Sequence, residues 1–115
     1  MLMKTLCEPA PWEIWWVDVE YEDYPGVSKR RPVLVYQNEG NRLVLTLKMT
    51  THPVRPDYPG EYEIIDYPGA GLKKATVIRC SKAIWLDKSD FQSRIGMLQP
   101  TDIMNVINIM KRFNA

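Results

Sequence analysis

The chain reads as a mainly β protein, a small and strongly curved barrel with one C-terminal helix. Three observations predict this. Short apolar runs rich in β-branched and aromatic residues recur through residues 12–98, bounded by Pro, Gly, Asn and Asp. Leu43, Leu45, Leu47 and Met49 alternate with Val44, Thr46 and Lys48, the period of a strand with one buried face. A 3.6-residue apolar spacing appears at the C-terminus, in Ile103, Val106, Ile107, Met110 and Phe113.

Each element follows from local chemistry. Residues 1–11 end in Glu8-Pro9-Ala10-Pro11 and form a loosely held arm. Residues 12–21 are the first strand, with Trp15, Val17, Val19 and Tyr21 on one face and Ile14, Trp16, Asp18 and Glu20 on the other. Residues 22–28 loop through a Pro-Gly turn. A hairpin follows: Lys29-Arg30-Arg31-Pro32, the run Val33-Leu34-Val35-Tyr36, a turn at Asn38-Glu39-Gly40-Asn41, then residues 42–49. Pro32 donates no ladder hydrogen bond, so it belongs at the first position of its strand. The cations of that entry thus stand at the mouth of a hydrophobic hairpin, and Thr50-Thr51-His52 leave its far end.

Residues 50–60 hold Pro53, Pro56 and Pro59 and stay irregular. Residues 61–65 are a short strand. In the next loop Gly69 and Gly71 suit positive φ. Tyr-Pro-Gly recurs at 24–26, 58–60 and 67–69 with irregular spacing and unlike flanks, so it is turn chemistry rather than a repeat. Residues 75–79 are a strand that continues to Trp85 with a bend near Cys80. Residues 88–93 suit one or two helical turns, and 94–98 a last strand. The helix spans 100–113, with Pro100 at its first position, Asp102 in the first turn, and Lys111 and Arg112 in the last.

Composition narrows the class. A chain of 115 residues suits one domain, 1–115, with one core. Hydrophobic residues make up 45% and charged residues 25%, as in soluble globular proteins. Net charge is +1, so any nucleic-acid role rests on a local patch. Cys7 and Cys80 lack metal-ligand spacing and read as reduced thiols, with a disulfide as the alternative. No apolar run approaches the ~20 residues that span a bilayer. Residues 1–10 lack the features of a signal peptide. The expectation is a cytoplasmic protein that avoids membranes.

Five stretches in order carry a resemblance. They are Ile14-Trp15-Trp16-Val17-Asp18, then Lys29-Arg30-Arg31-Pro32-Val33-Leu34-Val35, then the strand ending in Thr50-Thr51. Gly71-Leu72-Lys73-Lys74-Ala75-Thr76-Val77-Ile78-Arg79 and Ile95-Gly96-Met97-Leu98 before the helix complete the set. Over residues 12–113 this series resembles the PemK/MazF toxin family. The resemblance implies an SH3-like barrel of the MazF, PemK and CcdB type and a homodimer. It implies the toxin of a type II toxin–antitoxin system, a metal-free, sequence-specific endoribonuclease acting on single-stranded RNA without a cofactor. It also implies a cognate acidic antitoxin with a disordered tail, and DNA binding together with that antitoxin.

Metal-free RNA cleavage uses the 2′-hydroxyl as nucleophile and leaves a 2′,3′-cyclic phosphate. It needs a proton acceptor, cations for the phosphorane, and an acid for the 5′-oxygen. The arginine before proline matches the family's catalytic arginine, here Arg31, whose planar charge suits phosphate. Thr50 matches the family's threonine at a strand end; a turn cap is its plainer role. Arg79 matches a second arginine, proposed as proton donor to the leaving group. A guanidinium is a poor acid, so phosphate stabilisation is the sounder role. Two residues later PemK-like members carry an aspartate, and Ser81 stands there instead. His52 is the sole histidine and carries acid–base capacity, or is a plain surface imidazole. Lys29, Arg30, Thr51, Lys73, Lys74, Ser81 and Lys82 are candidates for an RNA track, or solvated loop residues. Trp12, Trp15, Trp16 and Trp85 offer stacking on bases, or belong to core and dimer surface.

Other functions compete. The absent aspartate favours a catalytically inactive SH3-like module that binds nucleic acid or protein. The related gyrase-poison toxins share the barrel and act on a protein.

Overall fold

The computed structural model describes residues 8–20, 26 and 28–113. Expectations for residues 1–7, Cys7, Tyr21 and the 22–25 loop lie outside the described residues. Six antiparallel strands form one sheet: β1 (Glu13–Glu20), β2 (Ser28–Gln37), β3 (Leu43–Thr50), β4 (Glu61–Glu63), β5 (Val77–Asp87) and β6 (Phe91–Met97). A 3-10 turn, Lys88–Asp90, joins β5 to β6, and one helix, α1 (Pro100–Phe113), ends the chain. The strand order is β4-β5-β3-β2-β1-β6.

The predicted barrel is not closed by a ladder, because β4 and β6 remain as edges. The turn after β4 reaches across to β6 instead. A Cβ on Gly96 of β6 would collide with the carbonyl oxygen of Ala70, and one on Gly71 would meet the carbonyl oxygen of Ile95 at 2.7 Å. Two glycines thus let backbone meet backbone where a side chain on either would force the edges apart. Gly71 has φ +90°, as expected. Gly69 does not share it; its amide donates to Asp66 Oδ1 at 2.9 Å.

Strand β3 buries residues on both of its faces, which corrects the single buried face expected for it. Leu47 and Met49 point to a core with Ile14, Leu34, Ile78, Leu98, Val106 and Met110. Val44 joins Val17, Val33, Val35 and Phe91 in a second core on the opposite face. Leu43 is exposed and Thr46 fully buried, its hydroxyl donating to the Ile84 carbonyl at 3.0 Å. Alternation identified a strand, but an interior strand in a sheet folded on itself buries side chains on both faces over much of its length.

Other bounds moved. β2 starts at Ser28, so Pro32 lies inside it. Residues 29–32 pair with β1 alone, and the β3 register begins at Val33↔Lys48, so Pro32 breaks no β3 ladder. β4 is shorter than expected, with Ile64 already bonded to the Thr76 carbonyl. The bend near Cys80 is a bulge: Lys48 faces Arg79 while Leu47 faces Ala83. Residues 91–93 extend β6, leaving the 3-10 turn as the helical part of 88–93. Residues 8–11 are pinned rather than loose: Asn38 Nδ2 donates to the Pro9 carbonyl at 2.6 Å, and Lys88 Nζ lies 2.9 Å from Glu8 Oε1. Cys80 is a free, buried thiol, pushed up to about 11 by desolvation.

Helix α1 docks through Asp102, which is fully buried. It accepts from Tyr62 Oη at 2.5 Å, Ile65 N at 2.8 Å and Asp66 N at 3.0 Å. The expected dipole role is joined by a clamp on the backbone after β4. Burial, then the Asp102 carboxylate, push the Tyr62 phenol up to about 12.

Candidate active site

Register builds the site. Lys48 of β3 pairs Arg79 of β5, and Arg79 pairs Glu61 of β4. Thr50 pairs Val77 one step away. Val33 pairs Lys48, and by period 2 Arg31 of β2 shares the sheet face of Val33. The cations and hydroxyls of three strands therefore converge on the face that buries the second core. They line a cleft of about 270 Å³ with Arg31, Pro32, Lys48, Met49, Thr50, Thr51, Thr76 and Arg79.

Four sequence candidates meet there: Arg31, Thr50, Thr51 and Arg79. The Thr50 hydroxyl accepts from the His52 amide at 3.1 Å, which fixes its rotamer and leaves its proton for another acceptor. His52 itself is exposed, is absent from the lining, and has Nδ1 3.0 Å from the Pro53 carbonyl oxygen. Lys29 and Arg30 are exposed further along β2. Lys73 and Lys74 are exposed before β5, and Ser81 and Lys82 are exposed in its bulge. None of these six lines the cleft, and none of the four tryptophans does.

Lys48 was missed, although the same period-2 count that places Thr50 puts it two residues earlier on the same face. A second group was also missed: Arg55, Tyr58 and Glu61. Glu61's side chain is 1% exposed. It receives Arg55 Nη2 at 2.5 Å and the Arg55 amide at 2.9 Å, and faces Arg79 Nε at 3.2 Å. That Arg79 nitrogen is buried and makes an ion pair without hydrogen-bond geometry. Bonding from Arg55, opposed by desolvation and aided by the Arg79 charge, holds the Glu61 carboxyl at about 2. The Arg55 guanidinium sits 4.0 Å over the Tyr58 ring, and that of Arg79 lies 5.5 Å from it. Only the β4–β5 pairing brings Glu61 to Arg79, so no local signal marked it.

Chemically, three cations and three hydroxyls face one small space, with no carboxylate or imidazole in the lining. Such a set binds a phosphate and stabilises added negative charge on it. Among the described residues, no three His, Cys, Asp or Glu side chains gather as a metal site needs.

Fold and cleft together describe a small antiparallel β protein with a cation-lined cleft between three strands. The family model of PemK-like, MazF-like toxins of type II toxin–antitoxin systems matches residues 10–113, and the chain belongs to that family. Solved structures share the fold. An endoribonuclease in complex with its cognate antitoxin from a mycobacterial species aligns at TM-score 0.73 and 15% identity, over 91% of this chain and 93% of that one. The Mycobacterium tuberculosis toxin MazF-mt6 aligns at 0.68 and 21%, over 87% and 93%. A MazE–MazF structure from Deinococcus radiodurans aligns at 0.70 and 16%, over 91% and 94%. No curated protein matched the sequence.

Proposed function

We propose that the chain is the toxin of a type II toxin–antitoxin pair and cleaves single-stranded RNA at specific sequences without metal. The observation that carries this reading is the convergence of Arg31, Lys48, Arg79, Thr50 and Thr51 on one cleft. In this reading the 2′-hydroxyl attacks the adjacent phosphorus, the 5′-oxygen leaves, and a 2′,3′-cyclic phosphate remains. Arg31, Lys48 and Arg79 stabilise the phosphorane. Thr50, oriented by the His52 amide, donates to a phosphate oxygen. His52, exposed two residues beyond Thr50, is the candidate that takes the 2′-hydroxyl proton, and a proton returns to the leaving 5′-oxygen from it or from water. Lys29, Arg30, Lys73, Lys74 and Ser81 extend the track for flanking nucleotides. In this reading the protein acts in the cytoplasm, where its RNA substrate is. Among the described residues no helix is long and apolar enough to cross a membrane.

Two partners belong to this reading. One is a second copy: Leu43 and Trp85 are exposed, and they are diagonal neighbours on one face of the β3–β5 pair. The other is an acidic antitoxin with a disordered tail that covers the cleft, the pair together binding DNA. Complexes with antitoxins among the similar structures support it.

A second reading is a binding module without catalysis. The lining without acid or base favours it, as does Ser81 in the exposed bulge. End-group analysis of RNA incubated with the protein and EDTA separates the two. Fragments ending in 2′,3′-cyclic phosphate establish the enzyme; intact RNA bound to the protein establishes the module.

A further inference from the structure

We propose that Arg55 and Tyr58 form a nucleotide subsite beside the phosphate cleft, with Glu61 as its positioning residue. The proposal rests on the RNA reading above and names the part of the site that takes a base. Arg55 and Tyr58 lie in the irregular segment between β3 and β4, and Tyr58 is 45% exposed. Arg79 is the link: it lines the cleft and also lies beside the Tyr58 ring. A base adjacent to a phosphate held by Arg79 therefore falls next to Tyr58 and Arg55. An exposed aromatic ring with fixed guanidiniums is what unpaired bases stack upon.

Glu61 explains why this arrangement persists. Two guanidiniums close to one ring repel one another and are costly to hold still. The Glu61 carboxylate engages both, through Arg55 Nη2 and Arg79 Nε, and takes the Arg55 amide as well, fixing the loop. It is enclosed, hydrogen-bonded by Arg55 and ion-paired with Arg79, so it positions the arginines and accepts no substrate proton. Two effects of removing its charge have opposite signs. As a charge, Glu61 weakens RNA binding by cancelling one cation. As a positioning residue, it strengthens binding by holding Arg55 and Arg79 in place.

The test uses the full chain and a pool of short, random-sequence 2′-O-methyl oligonucleotides, which bind but lack the nucleophile. Tyr58→Ala raises Kd about 5- to 150-fold, the range that loss of base stacking gives, while Tyr58→Phe, which keeps the ring, stays within about twofold. Glu61→Gln weakens binding despite its added net positive charge. A Tyr58→Ala protein that binds like wild type overturns the subsite, as does tighter binding by Glu61→Gln or a wild type that binds no oligonucleotide. If Glu61→Gln does not fold, Tyr58→Ala alone decides. Cleavage of an unmodified transcript is scored separately. Cleavage with no effect of Tyr58→Ala on binding removes the subsite and keeps the enzyme. A Tyr58 effect on binding without cleavage removes the enzyme and keeps the subsite.

Discussion

Thr50 and His52 are tied by one hydrogen bond, from the His52 amide to the Thr50 hydroxyl. That bond gives each a separable role. If the imidazole moves a proton in cleavage, the pH dependence of kcat changes in His52→Gln while RNA binding is kept. A profile unchanged by His52→Gln leaves arginines and hydroxyls alone with the chemistry. Glu61 gives a second prediction at this scale. Its carboxyl, held at about 2 by Arg55 and Arg79, is depressed below its unfolded value of 4.5. A depressed carboxyl contributes stability above the unfolded value, and that stability is lost as pH falls from there towards about 2. Urea unfolding between pH 6 and pH 3 should therefore show falling stability, with a shallower fall in Glu61→Gln; identical slopes contradict the assignment. Arg31, Thr50 and Arg79 were legible because each sits at a strand position that matched a family motif. Glu61 was not, because its partners are 6 and 18 residues away in sequence and meet it only through the β4–β5 pairing.

Elements bring these residues together, and two contacts fix how the elements close. Asp102 joins α1 to the segment after β4 with three accepted hydrogen bonds. Asp102→Asn keeps the shape but turns an amide N–H2 toward buried donors, so it costs about 1–3 kcal/mol. Chemical denaturation should show that loss; a variant as stable as wild type would mean the helix docks by its apolar stripe alone. Gly96 and Gly71 allow the turn at 66–72 to lie against β6. The sequence showed the strands, their turns and the helix, since each rests on local period and Pro/Gly chemistry. It did not show the burial of both β3 faces or the open ladder between β4 and β6. Both depend on how the sheet curls, which is a property of bulges and long-range register.

The whole molecule carries a net charge of +1, yet it gathers Arg31, Lys48 and Arg79 on one cleft. The local concentration of cations, not the total, makes the proposed anion site, which is why composition alone was silent about it. Light scattering at micromolar protein should give a dimer mass, with Trp85→Glu shifting it toward monomer; a wild-type monomer contradicts the second-copy proposal. Co-expression with the product of an adjacent short acidic open reading frame should yield a complex that no longer cuts RNA. The central claim is that this cleft breaks RNA by charge stabilisation without metal. Its most direct measurement is the single-turnover rate of RNA cleavage in EDTA by wild type and by Arg31→Ala. The account predicts full wild-type activity in EDTA and a loss in Arg31→Ala of about 10²–10³-fold, the scale of one lost oxyanion donor. A wild-type-like rate in Arg31→Ala, or a wild-type rate abolished by EDTA, would contradict it.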